Sequence, residues 1–409
     1  MTKHGQATQN LALLGGEPIV KEPLAIPPFP PRREEIGERL KELYLGGNWS
    51  FSGTAELEFA RAFAAYHDAK HGVFMANGSV TLEAALAAHG IGAGDEVIVP
   101  ALTWIATAAS ALHLGATPVF VDIEPDTLCL DPGGFEAAVT ARTRAVIPVH
   151  LYGSMADLDV ILAVAAKHQV VVIEDCAHAH GGKWNGRGVG SWGHVGSFSF
   201  QQSKPMTSGE GGICITNDDE IADRLHRVRN CGRAMPGRPE SPPPEGLLCH
   251  NFRGTEFQAL ILHGQLDGMD ALLARYNENA ARLERRLAAV AGLRVQARGR
   301  RAGPQSYYCW AVILEGRLEA VPVERFIEAL AAEGAPCFGV TYGPVYASPL
   351  WNVPERGYRI AHGGCPVAEG IGTKHTLTAW HPFLGATRET IDLIGDALAK
   401  VANNAEALV

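Results

Sequence analysis

Between about residues 70 and 230, short and nearly unbroken Val/Ile runs alternate with stretches whose apolar residues recur every three to four positions. The runs predict strands over 73–75, 96–99, 118–122, 145–151, 170–174, 195–200 and 212–216. The intervening periodicity predicts helices over 81–89, 105–114, 132–141 and 158–168. Strands lacking polar alternation are covered on both faces, so the pattern implies an α/β fold with a mostly parallel, seven-stranded sheet between helices.

The flanks read differently. Residues 1–32 form an arm: LALLGGEPIV is a short apolar hook, and the Pro-Pro pairs of KEPLAIPPFPPRR cannot continue a helix. Helices are expected over 33–44 and over 55–66, where Phe59, Phe63 and Ala64 share a face. After a breaker-rich stretch at 232–248, expected to be a mobile loop, helical periodicity resumes over 256–266 and 269–289. Strands at 293–296 and 307–313 and helices at 322–333 and 388–403 make a smaller α/β unit. A chain of 409 residues exceeds one small core. The expected division is the arm, a large domain over 33–266, and a linking helix with a small domain over 267–409.

Composition narrows the function. The net charge of −9, with no basic block, argues against a nucleic-acid partner. No segment approaches the roughly 20 apolar residues of a membrane span. MTKHGQATQN lacks a signal-peptide core, so a cytoplasmic protein is expected. The eight cysteines form no CxxC pair and the 16 histidines no HExxH, so reduced thiols and no metal are expected.

Ligands of such sheets bind beyond the carboxyl ends of the strands, and several reactive groups fall there. VVVIEDCAHAHGG carries Asp175 to a strand end. GSFSFQQSKPMTSGEGG carries Ser199 to the next, with Lys204 in the following glycine-rich loop. Alone, Asp175 reads as a solvated strand end and Lys204 as a surface lysine. Together with the hydroxyl they suit pyridoxal phosphate: lysine forms a Schiff base, the acid keeps the pyridine nitrogen protonated, and the serine helps hold the phosphate. MANGSVTLEAAL places Gly78 and Ser79 where a helix opens, with Ser79 and Thr81 adding hydroxyls; it reads as an anion site or as a simple helix cap. Trp104, in PALTWIATA, either stacks on a flat ring or fills the core. His178 either touches the cofactor ring or is a satisfied core histidine. Asn251, in HNFRGTEFQALI, either reaches a phosphate or is an ordinary loop residue.

NGSVTLEAAL, GDEVIVPALTWIATA, EDCAHAHG, FSFQQSK and GEGG, in this order, resemble the DegT/DnrJ/StrS family of fold-type I aminotransferases. The resemblance spans nearly the whole chain. It implies a homodimer with shared sites and pyridoxal 5'-phosphate on Lys204, with Asp175 at the pyridine nitrogen and Trp104 stacked on the ring. It further implies Gly78, Ser79 and Ser199 at the phosphate, His178 at the ring, and Asn251 lent by the partner chain. Pro205 departs from the pattern but leaves the amine. LALLGGEPIV, CAHAHG, TYGPVYASPLW, CPVAEG and LTAWHPFLG are similar to the glutamine:scyllo-inosose aminotransferases of aminocyclitol antibiotic pathways. The expectation is therefore amination of a keto-cyclitol or keto-sugar ring with glutamine or glutamate as donor, Tyr342 and His381 being candidate contacts to the ring. The alternatives are an aromatising enzyme like 3-amino-5-hydroxybenzoate synthase, a nucleotide-sugar aminotransferase, and a non-catalytic relative.

Overall fold

The computed structural model describes residues 10–409 except Ser52 and Thr341; residues 1–9 of the expected arm lie outside the described residues. All seven strands expected for the large sheet are present: β1 (His71–Met75), β2 (Glu96–Pro100), β3 (Thr117–Val121), β4 (Thr143–Val146), β5 (Val171–Asp175), β8 (Val195–Ser199) and β9 (Gly212–Thr216). A hairpin, β6 (Lys183–Trp184) and β7 (Arg187–Gly188), interrupts them. Four more strands follow β10 (Leu293–Val295): β11 (Cys309–Leu314), β12 (Phe338–Val340), β13 (Arg359–Ile360) and β14 (Thr376–Trp380).

The large sheet has the order β1-β9-β8-β5-β4-β2-β3-β13, so the two-residue β13 adds an eighth strand to the seven expected. Pairing is parallel from β13 through β8, and β9 runs antiparallel to both its neighbours. Burial explains the unbroken apolar runs: every residue of β2 is buried, Val97, Ile98 and Val99 completely. One expected strand is shorter than its apolar run. β4 stops at Val146, just before Pro148, which has no N–H for the ladder. Its carbonyl instead accepts the Asp175 N–H at 2.9 Å.

Helices α1 (Glu34–Gly46), α2 (Ala55–Tyr66), α3 (Gly78–Ala88), α4 (Ile105–His113), α5 (Pro132–Ala138), α6 (Leu158–His168), α7 (Asp219–Arg229), α8 (Glu256–Leu266) and α9 (Met269–Leu287) lead to the second sheet. There α10 (Val323–Ala332), α11 (Pro366–Glu369) and α12 (Arg388–Asn403) complete the set. That sheet, β10-β11-β14-β12, is antiparallel, and its core of Trp310, Val312, Phe326, Leu330, Ile394 and Leu398 includes Leu11 from the arm. Buried Glu333 ties the arm down: its carboxylate accepts the N–H of Ala12 at 2.8 Å and of Ile19 at 3.0 Å, and pairs with Lys400 at 2.9 Å. No described helix is long and apolar enough to cross a membrane.

Candidate active site

A cavity of about 560 Å³ opens beyond the carboxyl ends of β1, β2, β5 and β8. Eight of the eleven residues singled out in the sequence line it: Gly78, Ser79, Trp104, Asp175, His178, Ser199, Lys204 and Tyr342.

The first wall is the opening of α3. Asn77 caps this helix, its Oδ1 accepting the N–H groups of Ser79 and Val80 at 3.0 Å each. The cap starts α3 at Gly78 rather than at the expected residue 81 and occupies two amides counted toward an anion site. It leaves the Ser79 and Ser199 hydroxyls facing the cavity. Gly78 permits the approach of helix to strand, because a methyl there would lie 2.5 Å from Ser199 Cβ. Thr81, expected to add a hydroxyl, does not. Its Oγ1 donates to the Gly78 carbonyl at 2.7 Å and lies 2.7 Å from Ser197 Oγ, pinning α3 to the sheet.

The second wall is the end of β5. Asp175 is 6 % exposed. One carboxylate oxygen accepts the Ala177 N–H at 3.1 Å and the other the Thr107 hydroxyl at 2.8 Å. Burial raises its pKa, against the pull of these donors and of Lys204. Thr107 lies in α4, one turn beyond Trp104, which caps that helix and stands 52 % exposed at the cavity mouth. His178 is buried. Its Nδ1 accepts the Tyr152 N–H at 3.2 Å, and burial together with the Lys204 charge holds its pKa well below the usual value. It is therefore a neutral imidazole whose proton sits on Nε2.

Lys204 follows β8 in a turn closed by its own N–H to the Gln201 carbonyl at 2.9 Å. Burial lowers its amine to about 8, opposed by Asp175 and Cys309. The amine lies 4.2 Å from the centroid of the Tyr308 ring, which itself stacks on His178 at 4.0 Å and 12°. Tyr308 stands next to β11 of the second sheet and was not singled out in the sequence, where nothing local distinguishes it. Thr107 sits within a quoted motif, and its one-turn offset from Trp104 was a usable signal. Tyr342 packs against Trp104 and Tyr152 at ring separations of 6.2 and 5.9 Å.

Two candidates stand elsewhere. His381 is completely buried behind the wall, with Nδ1 2.9 Å from the Tyr276 hydroxyl and Nε2 3.1 Å from the Ser203 carbonyl. Both ring nitrogens are engaged in packing, so this chain does not present it to a substrate. Asn251 is exposed and does not line its own chain's cavity.

Residues 30–399 match the DegT/DnrJ/EryC1/StrS aminotransferase family. A protein of Streptoalloteichus tenebrarius, provisionally named L-glutamine:3-amino-2,3-dideoxy-scyllo-inosose aminotransferase, is 40% identical over 98% of this chain and 100% of its own. The L-glutamine:2-deoxy-scyllo-inosose aminotransferase of Streptomyces fradiae is 39% identical over 96% of this chain and 97% of its own. The crystal structure of 3-amino-5-hydroxybenzoic acid synthase superposes with a TM-score of 0.84 at 31% identity, covering 93% of this chain and 100% of that one.

Proposed function

Because the chain belongs to the DegT/DnrJ/EryC1/StrS aminotransferase family, we propose that its cavity holds pyridoxal 5'-phosphate. In this reading the protein transfers the amino group of glutamine or glutamate to the ketone of a cyclitol ring, in the making of an aminocyclitol. The carrying observation is the convergence of Asp175, Ser199 and Lys204 with Gly78 and Ser79 on one cavity. These groups fit the cofactor: an amine that loses its charge near neutrality, a buried carboxylate, and two hydroxyls beside a glycine whose missing side chain leaves room.

Bound there, the cofactor supplies a carbonyl that links to amines and a ring that draws electron density from them. The chain supplies the rest. Asp175, held by Thr107 and Ala177, keeps a proton on the ring nitrogen. Lys204 carries the cofactor covalently and, when its amine is free and neutral, moves a proton as general base and then acid. Ser79 and Ser199 receive the phosphate, and Trp104 and His178 border the ring.

The proposed assembly is a homodimer in which Asn251 serves the other copy's cavity. Its exposure outside its own cavity supports this, as do the exposed Tyr44, Leu45, Trp49 and Phe51 on the same chain. A cytoplasmic setting accords with eight cysteines all outside disulfides. The second sheet with its own core supports a smaller C-terminal unit, but the division does not fall cleanly at 266/267, because β13 pairs with β3 and Val345, Trp351, Ala361 and Cys365 pack in the core of the large sheet.

For the acceptor, the wall carries Glu83, Asp175 and Glu210 against Lys204. With Asp175 and Lys204 engaged by the cofactor, Glu83 and Glu210 remain to accept hydrogen bonds from the hydroxyls of a cyclitol. The test is the absorption spectrum of the purified protein with pyridoxal phosphate, before and after glutamine. A visible band that moves to shorter wavelength with glutamine, and is absent from Lys204→Ala, supports the reading. No band with added cofactor overturns it. With 2-deoxy-scyllo-inosose as acceptor, an aminated ring by mass spectrometry is expected. Loss of water with a new ultraviolet chromophore would indicate the aromatising reaction instead.

A further inference from the structure

Lys204 Nζ has no hydrogen bond or ion pair among the described residues; its protein neighbour is the face of Tyr308, 4.2 Å from the ring centroid. A lysine stem has several rotamers, and the cavity is open to solvent, so an amine without a partner is free to leave the position from which it reacts. The Tyr308 ring is itself held on two sides. It stacks on His178, whose Nδ1 is bound to the Tyr152 N–H. Its hydroxyl lies 3.2 Å from Ser203 Oγ, on the residue just before Lys204. Ser203 is secured in turn: its hydroxyl donates to Gln201 Oε1 at 2.7 Å, and its carbonyl accepts Trp380 Nε1–H at 2.8 Å. A residue of the second sheet is thus tied into the loop that carries the lysine.

We infer that Tyr308 is a positioning residue whose ring face holds the Lys204 amine in the cavity wall whenever that amine is not covalently engaged. A π face suits this task better than a carboxylate. It attracts the ammonium electrostatically, yet has no lone pair that would hold the proton against transfer. The inference rests on the reading of Lys204 as the cofactor lysine.

The charged and titratable groups acting on Lys204 are Asp175 of β5, Cys309 of β11, and His178, His180 and His381. None of them changes in the variants used for the test, which are Tyr308→Leu, Tyr308→Met and Tyr308→Phe in the full chain. Circular dichroism identifies the variants that fold, and Met substitutes for Leu if Leu does not. Lys204 is titrated without cofactor, after hydroxylamine treatment and dialysis, by competitive acetylation read by mass spectrometry against exposed Lys41. Loss of the ring face removes more attraction from the ammonium than from the neutral amine. Leu and Met therefore lower the midpoint by roughly half a unit, whereas Phe leaves it in place. In the loaded enzyme Leu and Met lower kcat about tenfold with little change in donor KM, and Phe restores most of it. A midpoint unmoved or raised in both Leu and Met overturns the inference. Failure of the cofactor reading shows separately, as a parent protein with no Lys204-dependent visible band.

Discussion

Glu174 and Asp175 are adjacent on β5, both buried, and their surroundings differ. The Glu174 carboxylate accepts three backbone N–H groups, from Gly190 at 2.8 Å, Trp192 at 2.9 Å and Gly193 at 2.6 Å, with His150 Nε2 at 3.2 Å. His150 Nδ1 accepts the Ala156 N–H, which places the ring proton on Nε2, toward the carboxylate. Burial pushes the Glu174 pKa up, but these donors outweigh it and the net shift is downward. Asp175 has two donors, and burial wins, so its shift is upward. One side of the strand is a saturated polar network that sets structure. The other keeps unspent accepting capacity beside a cavity, which is where a reacting group can use it. The same accounting explains why His150, Glu174 and Cys176, close enough together to suggest a metal site, read as structure: the lone pairs of His150 and Glu174 are already engaged within the chain.

The largest effect that sharpens this contrast lies beside Asp175. Lys204→Ala should abolish the visible cofactor band and reduce transamination by 10³-fold or more, roughly, with circular dichroism unchanged. A variant keeping the band would place the covalent link elsewhere. Asp175→Asn should follow, losing about 10²- to 10³-fold in kcat with no loss of thermal stability, since a neutral amide removes the cost of a buried charge. If instead this variant unfolds with activity per folded molecule intact, the open side of β5 is structural after all. Glu174→Gln is the mirror image. Its amide NH2 takes the place of one carboxylate oxygen and meets the two donors that oxygen served, so stability should fall by about 3 kcal/mol in chemical denaturation while the cofactor band persists in the folded fraction.

Acidity separates the two sides again. Because the Glu174 pKa is lowered on folding, its stabilisation is present above the unfolded carboxylate value and is lost as pH falls through the lower folded one. Asp175 has the opposite sign: its ionisation costs stability as pH rises from the unfolded value through the higher folded one. Denaturation midpoints across the acid range should therefore show a shallower acid loss for Glu174→Gln. Asp175→Asn should instead gain on the parent as pH rises. Parallel curves for parent and both variants would remove the electrostatic distinction.

How far the sequence carries this contrast depends on distance along the chain. Asp175, Ser199 and Lys204 are legible because each lies at or just beyond the end of a strand in one sheet: a Val/Ile run marks β5, the shorter apolar segment VGSFS marks β8, and Lys204 sits in the loop that follows it. Gly78 and Ser79 are legible for the same reason at the end of β1. Tyr308 is not, because it enters from a second sheet and only the fold brings it to His178 and Lys204. Thr81 misled because a first-turn hydroxyl can face either the cavity or the sheet, and its bond to Ser197 turns it to the sheet. His381 misled similarly, since its neighbours in the sequence do not reveal Tyr276 and Ser203 on either side of the ring. β12 and β13 went unseen because Phe338–Val340 has a glycine at its centre and Arg359–Ile360 is two residues long, too short for any period to register. Helix α7 lies outside the predicted elements, although Asp218 caps it and Ala222, Leu225 and Val228 recur at helical spacing.

The finest test removes one donor from the open side. Thr107→Val deletes the hydroxyl that donates to Asp175 at 2.8 Å and leaves the Ala177 N–H in place. A hydrogen bond to a charged group is worth about 1.5–3 kcal/mol, equivalent to roughly one to two pKa units, so the Asp175 pKa should climb further. The proton at the cofactor nitrogen is then held less firmly, and kcat should fall about tenfold with its acid limb displaced toward higher pH. Val preserves the shape and helix position of Thr, and Thr103, left facing a methyl, loses one bond of 2.9 Å. A Thr107→Val enzyme with a parental pH profile would mean that Asp175 draws its support from the backbone alone. The contrast with Glu174 would then be one of kind as well as number, because Glu174 is held by side chain and backbone together.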